Sequence, residues 1–312
     1  YWPTGDPAWG YGMVCYAMAL ARGIAVVMWQ AQPGAEAALQ FMAENGVTNL
    51  ATVPTLLRGI MALGEARVRT YAAPVRRVCC CGEPLNAEVV RFFRDVWQAT
   101  PLDTYGSSEM GMPVGNLAAL DAEVRPGSMG RAVPGRVVTV IDEDGRESDD
   151  DTVGLIALAP DAEGFYAVSY WNNPDLTRAT FEGPWIVTND LGRRDGDGFL
   201  WFEGRSDDVI TSAGYRIGPF EVESALLEHP AVAEAGVVAK PDALRGHVVM
   251  AFVVLGPERE ASAGLEEELG ATVRTHLGAH AAPRAFRFVA ELPKTESGKI
   301  QRFKLREQAA GE

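Results

Sequence analysis

Two lysines near the C-terminal end of the chain flank a short polar segment that could deliver a positive charge to an anionic group. Lys294 and Lys299 bracket four residues, the last of which is Gly298. Glycine permits a tight turn, so a loop can present a long cationic side chain. The compact ammonium group of lysine suits a carboxylate or phosphate oxygen on which charge develops during a reaction. By themselves these residues fit a solvated terminal loop equally well.

A second segment, residues 204–223, combines charged residues with turn residues. Arg205 precedes two acidic residues, Asp207 and Asp208, at a change in sequence character. Two glycines then allow turns, and Pro219 with the acidic residues after it predicts the start of a helix. The composition favours an ordered hinge that leads into a helix, because a plain linker would explain only part of it.

Three further polar clusters follow predicted strands. Residues 105–109 come after a short strand and include Ser108 and Glu109, residues 82–84 follow the apolar strand that precedes them, and Asp190 follows a strand in the middle of the chain. Open α/β sheets bind ligands at the carboxyl ends of their strands. There Ser108 could donate to a phosphate, Glu109 could ligate a hard cation such as Mg²⁺, and Asp190 could accept ribose hydroxyls.

The predicted secondary structure that positions these residues changes in character along the chain. Residues 1–125 alternate strands, including one predicted at 24–28, with helices, a pattern typical of βαβ units and a parallel sheet. Residues 126–206 contain short strands separated by turns, and residues 207–312 read as compact α+β. The sequence therefore predicts an α/β fold. A partial large domain (residues 1–206) has a parallel-sheet region and a β-rich subdomain, and a small mobile α+β C-terminal domain follows.

Composition excludes several classes of function. The 312 residues carry 28 Lys+Arg against 42 Asp+Glu, a net charge of −14. This argues against nucleic-acid binding, which needs a basic face, and against docking on an anionic membrane. The apolar run over residues 13–21 is far shorter than the roughly 20 residues of a bilayer span, so no membrane insertion is expected. The consecutive Cys79, Cys80 and Cys81 suggest reduced thiols on a buried strand of a cytoplasmic protein.

Together the segments resemble the adenylate-forming superfamily of acyl-CoA synthetases, luciferases and peptide-synthetase adenylation domains. The specific parts are PKTESGKI at residues 293–300 and GRSDDVI followed by GYRIGPFEVE within residues 204–223. The nearest resemblance is to medium-chain acyl-CoA synthetases, through GDPAWGYG at residues 5–12 and SYWNNPDLT at residues 169–177. The order of the motifs is similar from Tyr1 to the end of the chain.

The resemblance implies a two-step ligase that uses ATP, Mg²⁺ and CoA. In the first step a carboxylate attacks the α-phosphate of ATP, giving acyl-AMP and pyrophosphate. The small domain then rotates, and the thiol of CoA displaces AMP. The acid is expected to be medium-chain or aryl. The expected partners are therefore small molecules, and whether the protein forms a homo-oligomer or is completed by a missing N-terminal segment is left open.

The resemblance also implies roles for individual residues that match the motifs. Lys299 matches the lysine that stabilises the adenylation transition state, Ser108 the phosphate-contacting hydroxyl and Glu109 the Mg²⁺ ligand. The remaining expectations are Gly82, Glu83, Pro84, Tyr105, Asp190 and Arg205 for the nucleotide, Asp207 for the hinge, Gly214, Tyr215, Arg216 and the surface-turn residue Arg245 for CoA, and Gly106 and Trp9 for the acyl pocket.

Gly106 carries the expectation about substrate size. Resembling members restricted to acetate have a tryptophan after the tyrosine that matches Tyr105, and this tryptophan plugs the acyl pocket. Glycine would leave a deeper pocket, in which each buried CH₂ is worth about 0.8 kcal/mol. The alternative is that Gly106 serves only the turn and that other side chains, Trp9 or Trp29, refill the space.

The chain departs from the family pattern at several points. The glycine-rich phosphate loop is absent and is expected upstream of Tyr1, Asn189 stands where glycine is usual, and Ser108 where threonine is usual. The chain therefore resembles the C-terminal part of a longer enzyme. Two alternatives stay open: an adenylating enzyme that loads a carrier-protein thiol, and a truncated, non-catalytic nucleotide-binding fragment.

Overall fold

The computed structural model describes residues 1–30, 34–117, 123–160, 169–242, 245–256, 259–295 and 299–311. Within these residues the chain divides into two compact units, the first formed mainly by residues up to Ser206 and the second mainly by residues from Asp207 onward. The expected turn at Gly298 lies outside the described residues. The domain boundary at residues 206/207 stays a prediction, because the second unit also takes in three helices from the first hundred residues.

The first unit begins with four parallel strands. They are β1 (Trp2–Pro3), β2 (Asn49–Thr52), β3 (Arg77–Cys81) and β4 (Pro101–Ser107), paired in that order. In this part of the sheet β2, β3 and β4 are largely buried, as strands covered on both faces must be. The parallel α/β region predicted from the alternating pattern is confirmed.

Six antiparallel strands extend the same sheet. They are β5 (Gly111–Gly115), β6 (Ser128–Ala132), β7 (Val138–Ile141), β8 (Gly154–Leu158), β9 (Ile186–Arg194) and β10 (Leu200–Arg205). Beyond β4 the strand order is β5-β6-β10-β9-β8-β7. A buried apolar cluster that includes Met110, Val140, Ile156 and Leu200 packs on this part. The predicted β-rich subdomain is therefore a continuation of the parallel sheet.

Six helices lie among the described residues of the same part of the sequence. They are α1 (Gly10–Ala21), α2 (Ala35–Glu44), α3 (Pro54–Ala62), α4 (Glu65–Arg69), α5 (Ala87–Trp97) and α6 (Pro174–Phe181). Helices α2, α3 and α4 are the ones that group with the second unit. The side chain of Asn173 caps α6 by accepting a hydrogen bond from the Leu176 amide at 3.1 Å.

The strand predicted at residues 24–28 is wrong. Helix α1 ends at Ala21, and Gly23, two residues later, has a φ of +65°, which turns the chain out of the helical direction. The segment after it carries Ile24 and Met28 with 45% and 65% of their surface exposed, and it is not part of the sheet. Apolar side chains alone suggested a strand here.

The second unit contains the C-terminal α+β region. Its elements are β11 (Ile210–Ser212), β12 (Tyr215–Ile217), α7 (Pro219–Leu227), β13 (Val232–Asp242), β14 (Gly246–Leu255), α8 (Ala263–Leu277), β15 (Ala285–Phe288) and α9 (Arg302–Ala310). Strands β11 and β12 form a hairpin, and β13, β14 and β15 form a sheet in which β14 and β15 run parallel.

The three-stranded sheet of the second unit is buried on both faces. On β14, Val249, Ala251 and Val253 pack into one apolar cluster with α7 and α8. The intervening Met250 and Phe252 pack into another cluster, which also takes in α9. This alternation follows from the two-residue period of a strand. In the part of the chain that the structure describes, every helix is too short or too polar to cross a lipid bilayer.

Candidate active site

The first group of candidate residues lies where β3 and β4 end side by side. Cys81 pairs with Thr104, so the segment that begins at Gly82 leaves the sheet next to Tyr105. Gly82 has a φ of +96°, a backbone conformation that glycine adopts without strain. Glu83 and Pro84 follow Gly82 at this edge. The register therefore brings two of the predicted nucleotide-binding segments together at the carboxyl edge of the parallel strands.

Asp103 ties these two segments to each other. Its side chain is buried on β4, and its Oδ1 accepts a hydrogen bond from the Thr104 amide at 3.0 Å. The backbone of Leu85, immediately after Pro84, also hydrogen-bonds to this carboxyl group. Burial raises the pKa of Asp103 well above its usual value, and the two backbone hydrogen bonds oppose this effect only in part.

Asp190, which lies within β9, contacts two of the other predicted nucleotide residues. The hydroxyl of Tyr105 donates to Asp190 Oδ2 at 2.7 Å, and Arg205 Nη1 lies 3.8 Å from Oδ1. The strand register places Arg205 directly opposite Asp190, so the pair is set by β9 and β10. Burial, together with the neighbouring carboxylate, raises the pKa of Tyr105, which keeps the phenol protonated as a donor.

Thr188 holds the backbone beside this acid. Its hydroxyl donates to the carbonyl of Ile156 at 2.9 Å and accepts from the Asp190 amide at 3.1 Å. The side-chain orientation of Asp190 therefore depends on β8 and β9 as well as on Tyr105. Asn189, which stands where the family has glycine, uses its carbonyl to accept the Ser206 amide at 2.8 Å.

Glu109 lies in the turn that follows β4. Its amide donates to the hydroxyl of Ser107 at 3.2 Å, and its Oε1 accepts from the phenol of Tyr170 at 2.9 Å. Burial raises the pKa of Glu109, but hydrogen bonds from Ser107 and Tyr170 lower it more, so the pKa lies below its usual value. Ser108, the other predicted residue of this turn, is exposed.

The carboxylate of Glu109 fits a role as a single Mg²⁺ ligand. Among the residues that the structure describes, no group of three or more acidic, histidine or cysteine side chains is placed to hold a metal ion. Mg²⁺ is commonly bound by one or two carboxylates together with substrate phosphates, not by a complete protein cage. The donor chemistry of an ionised Glu109 is of this kind, and Glu109 as metal ligand stays a prediction.

Gly106 lies where two antiparallel strands approach closely. A Cβ atom at this position would come within 1.9 Å of the carbonyl oxygen of Gly111 and 2.8 Å of the Met112 Cα. Glycine is therefore required by the β4–β5 hairpin, which supports the alternative that Gly106 serves the turn. Trp9 precedes α1 and packs edge-to-face on Tyr11 with ring centroids 5.7 Å apart. Their roles in an acyl pocket stay predictions.

The second unit carries Lys299 on a short backbone ladder. Lys294 and Ile300 form an antiparallel bridge, and the Thr295 amide donates to the Lys299 carbonyl at 2.8 Å. The two lysines of this segment differ in their surroundings. Lys294 is only 25% exposed and forms an ion pair with Glu234 at 2.6 Å, whereas Lys299 is exposed. The role of Lys299 in adenylation stays a prediction.

The predicted hinge residue Asp207 is exposed and lies in a turn. Its neighbour Asp208 behaves differently, since its carboxylate is 13% exposed and pairs with Arg306. Asp208 is therefore attached to α9, and Asp207 as the hinge stays a prediction.

The four residues predicted to bind CoA are drawn together in the second unit. Gly214, with a φ of +86°, turns the β11–β12 hairpin, and Tyr215 and Arg216 follow it on β12. The amide of Ala213 in the same turn donates to the Arg245 carbonyl at 3.3 Å. This contact places the backbone of Arg245, just before β14, beside the hairpin.

An aromatic pair borders this group. The ring of Tyr215 stacks on that of His280 with centroids 4.7 Å apart, although Tyr215 stays 55% exposed. The pair gives the hairpin a flat apolar surface beside Arg216. Sequence reasoning did not assign a role to His280.

Sequence reasoning also missed Tyr170, Asp103 and Glu223. Tyr170 lies within residues 169–177, whose likeness to the family was noted, but nothing in the spacing connects it with Glu109, 61 positions away. Asp103 and Glu223 are acids on apolar elements, and both are buried. Acidic side chains are almost never fully buried unless they are paired. An acid among apolar residues in the sequence is therefore a signal that the acid is buried and has a partner.

Comparison with known proteins places the chain in a family. The profile described as AMP-binding enzyme matches residues 1–161, and that of the AMP-binding enzyme C-terminal domain matches residues 221–299. The acetyl-coenzyme A synthetase of Bacillus subtilis is 39% identical over 97% of this chain and 53% of its own length. Human mitochondrial acyl-coenzyme A synthetase ACSM4 is 39% identical over 98% of this chain and 53% of its own length. The chain belongs to the AMP-binding enzyme family.

Solved structures show the same architecture. The anthranilate CoA ligase AuaEII in complex with anthranoyl-AMP superposes with a TM-score of 0.89 at 30% identity, over 99% of this chain and 59% of that one. A benzoate CoA ligase from Burkholderia xenovorans gives a TM-score of 0.87 at 35% identity, over 98% of this chain and 60% of that one. The resemblance and the fold class predicted from the sequence are confirmed. The chain spans about half the length of the curated relatives it matches.

Proposed function

We propose that this protein is an AMP-forming acid–thiol ligase that makes acyl-AMP from a carboxylic acid and ATP and passes the acyl group to CoA. The observation that carries the proposal is the hydrogen bond from Tyr105 to Asp190, on β9, together with the ion pair of Asp190 with Arg205. A carboxylate oriented in this way can accept two hydrogen bonds from vicinal hydroxyls such as those of ribose. The enzymes named among the relatives and neighbours support the same activity.

The first half-reaction uses the predicted nucleotide residues and Lys299. Gly82, Glu83 and Pro84 line the base, Asp190 and Arg205 hold the ribose, and Ser108 donates to a phosphate. Lys299 donates to oxygens that gain negative charge as the carboxylate attacks, which is where a cation lowers the barrier. Mg²⁺, held by Glu109 and the phosphates of ATP, would neutralise phosphate charge.

The second half-reaction uses the β11–β12 hairpin. Gly214 lets the hairpin backbone approach a ligand closely, and Tyr215 offers a stacking face. The guanidinium groups of Arg216 and Arg245 suit the phosphates of CoA. Asp207 is the hinge whose backbone change separates the two half-reactions.

The acid is medium-chain or aryl in this proposal. Support comes from the names of the neighbours, which include benzoate and anthranilate CoA ligases. Identity alone does not discriminate, because an acetyl-coenzyme A synthetase and ACSM4 are equally similar to this chain. A rate series from acetate to octanoate, with benzoate beside it, tests the proposal, and acetate as the best substrate would overturn it.

We also propose that the protein works in a reducing compartment such as the cytoplasm. All four cysteines lie in described parts of the chain, and none of them forms a disulfide bond. Burial raises the pKa of Cys80 and so keeps it protonated and unreactive. Fractionation of the producing cells tests this location, since some relatives carry names that place them in mitochondria.

The experiment that tests the activity compares Lys299→Ala with Lys304→Ala in the full-length protein. Lys304 is an exposed lysine on α9 and serves as the matched control. We expect Lys299→Ala to slow ATP–pyrophosphate exchange by about 10²–10³, the usual effect of losing one preorganised donor. Thioester formation from preformed acyl-AMP should hardly change, and Lys304→Ala should leave both reactions intact.

Three other outcomes decide between the alternatives. Equal loss of both half-reactions in Lys299→Ala would contradict the role of this lysine. If ATP–pyrophosphate exchange occurs and the acyl group is loaded onto a carrier-protein thiol but not onto CoA, the acyl acceptor is a carrier protein. Absence of exchange in the unmodified protein would favour a non-catalytic nucleotide-binding protein.

A further inference from the structure

Glu223 is a buried carboxylate on the apolar helix α7. It is 5% exposed, and its neighbours Val222 and Ala225 belong to the apolar core of the second unit. Its Oε1 accepts the Val237 amide of β13 at 2.8 Å. Arg302 Nη2 donates to both of its oxygens, at 2.8 Å and 2.6 Å. The carboxylate therefore joins three elements through charge-assisted hydrogen bonds.

Arg302 also faces a second acid. Its Nη1 lies 4.0 Å from Asp208 Oδ2, and Arg306 donates to Asp208 Oδ1. Arg302 and Arg306 are four residues apart on α9, so they project from the same face of the helix. The start of α9 is thus held by Glu223 on one side and by Asp208 on the other.

The backbone that enters α9 is the one that carries Lys299. Lys299 lies three residues before Arg302, and the Gln301 amide between them donates to the Pro293 carbonyl at 2.8 Å. The Lys299 amide donates to the hydroxyl of Thr295 at 3.1 Å. Fixing Arg302 therefore fixes one end of the segment that presents Lys299.

A second ion pair anchors the other end of this segment. Lys294 Nζ lies 2.6 Å from Glu234 Oε2, and Glu234 is on β13, the strand that also donates to Glu223. Lys294 and Arg302 thus attach the two ends of the segment to one strand and its supporting helix. The exposed Lys299 lies between these two attachment points.

Stability alone gives little reason for a buried pair such as Glu223–Arg302. The desolvation of two charges offsets much of their attraction, and apolar side chains of similar volume are often as stabilising. What such a pair adds is direction, because the guanidinium fork meets a carboxylate in a restricted geometry. We propose that Glu223 is a positioning residue, which acts through Arg302 to hold the backbone that presents Lys299. This rests on the function proposed above for Lys299.

The first test measures amide exchange in the full-length protein and does not depend on activity. Glu223→Gln keeps the shape of the side chain but removes its charge, and Glu221→Gln, at an exposed site on the same helix, is the control. We expect exchange at the amides of Lys299 and Gln301 to rise about tenfold or more in Glu223→Gln, as weakening a charge-assisted hydrogen bond implies. Exchange at Phe252 in the core of β14 should stay unchanged.

The second test measures catalysis. A small misplacement of a catalytic group costs up to about a hundredfold in rate, so Glu223→Gln should lower kcat for adenylation by about 10- to 100-fold. The KM for the acid should not change. The rate of thioester formation from preformed acyl-AMP should not change either. In a Lys299→Ala background the same change should have almost no further effect on adenylation, because its effect passes through that lysine.

Each other result counts for or against the proposal. Unchanged amide exchange at Lys299 and Gln301 in Glu223→Gln would overturn the proposal. An equal loss of rate in both half-reactions, together with a lowered Tm, would also overturn it. If Glu223→Gln does not fold, Arg302→Lys, which keeps the charge but loses the fork, must give the same selective pattern or the proposal fails. If Lys299→Ala leaves adenylation intact, the role proposed for Lys299 fails, and the exchange data still decide whether Glu223 holds its backbone.

Discussion

Asp103 is a buried acid that joins two of the segments predicted to bind the nucleotide. Its carboxyl group accepts the Thr104 amide and hydrogen-bonds to the Leu85 backbone, so it links the ends of two neighbouring strands. The register of β3 and β4 places it beside Cys80, which is also buried. Holding an acid in this apolar position opposes ionisation, and the consequence can be measured.

We expect Asp103→Asn to change the pH dependence of stability. Burial raises the folded-state pKa of Asp103, so the native state binds a proton that the unfolded state has released. The unfolding free energy of the unmodified protein should therefore fall relative to that of the variant as the pH rises above about 4. The fall is at most about 1.4 kcal/mol per pH unit and stops once the pH exceeds the folded-state pKa. Asparagine keeps an oxygen that can accept the Thr104 amide.

Urea unfolding of both proteins at several values between about pH 5 and pH 8 checks this expectation. The difference in unfolding free energy should widen with pH in favour of the variant. Parallel curves would mean that Asp103 is ionised in the native state and that its partners fully offset the burial.

At the scale of single residues, motif resemblance assigned roles to groups predicted to face ligands but not to the groups that hydrogen-bond to them. Asp190 and Tyr105 were both assigned to the nucleotide, and their direct hydrogen bond joins residues 85 positions apart. Tyr170 and Glu223 were missed, because their roles arise from partners that only the folded chain brings near. Arg302, the partner of Glu223, is 79 positions away.

At the scale of elements, the β4–β5 hairpin explains Gly106 better than substrate size does. The space that a side chain would need is filled by the backbone of Gly111 and Met112. A tryptophan at this position cannot be accommodated unless the hairpin moves. Gly106→Trp would therefore report on folding, and the chain-length series on the unmodified protein is the sharper test of the acyl pocket.

We expect Gly106→Ala to destabilise the protein by at least about 2 kcal/mol, since overpacking against backbone cannot be relieved by a rotamer change. Gly10→Ala is the matched control, because a Cβ at Gly10 meets nothing within 4 Å and lies in a helix. Alanine should be neutral or stabilising there. Thermal unfolding measures the Tm of both variants. Equal Tm values would show that the hairpin backbone can shift to make room for a Cβ atom at position 106.

Elements with a clear period were predicted well, and those that depend on pairing were not. The helix α5 and the strand β3 follow from runs of apolar residues at helical and strand spacing. The segment at residues 24–28 is not a strand of the sheet, although Ala25 and Val27 each form a backbone hydrogen bond with Tyr1. Helix α9 was missed because few of its residues are apolar, and only Leu305 and Ala309 are buried.

At the scale of the whole molecule, the described chain consists of two units that each have their own apolar core. Ile156 and Leu200 belong to the core of the first unit, and Val237 and Leu269 to that of the second. Domains with separate cores are expected to move relative to each other unless a large apolar interface joins them. The proposed two-step reaction needs such independence, because Lys299 serves one step and the β11–β12 hairpin the other.

The hinge prediction belongs to this scale. We expect Asp207→Pro to slow thioester formation from preformed acyl-AMP far more than ATP–pyrophosphate exchange, because proline fixes φ near −65° and restricts the residue before it. Domain motion must be absorbed by a few backbone dihedrals, and exposed Asp207 lies between Ser206, which is bound to β9, and Asp208, which is bound to α9. Asp207→Ala is the control, since it removes the carboxylate and leaves the backbone free. If Asp207→Pro forms thioester at the rate of Asp207→Ala, the hinge lies elsewhere.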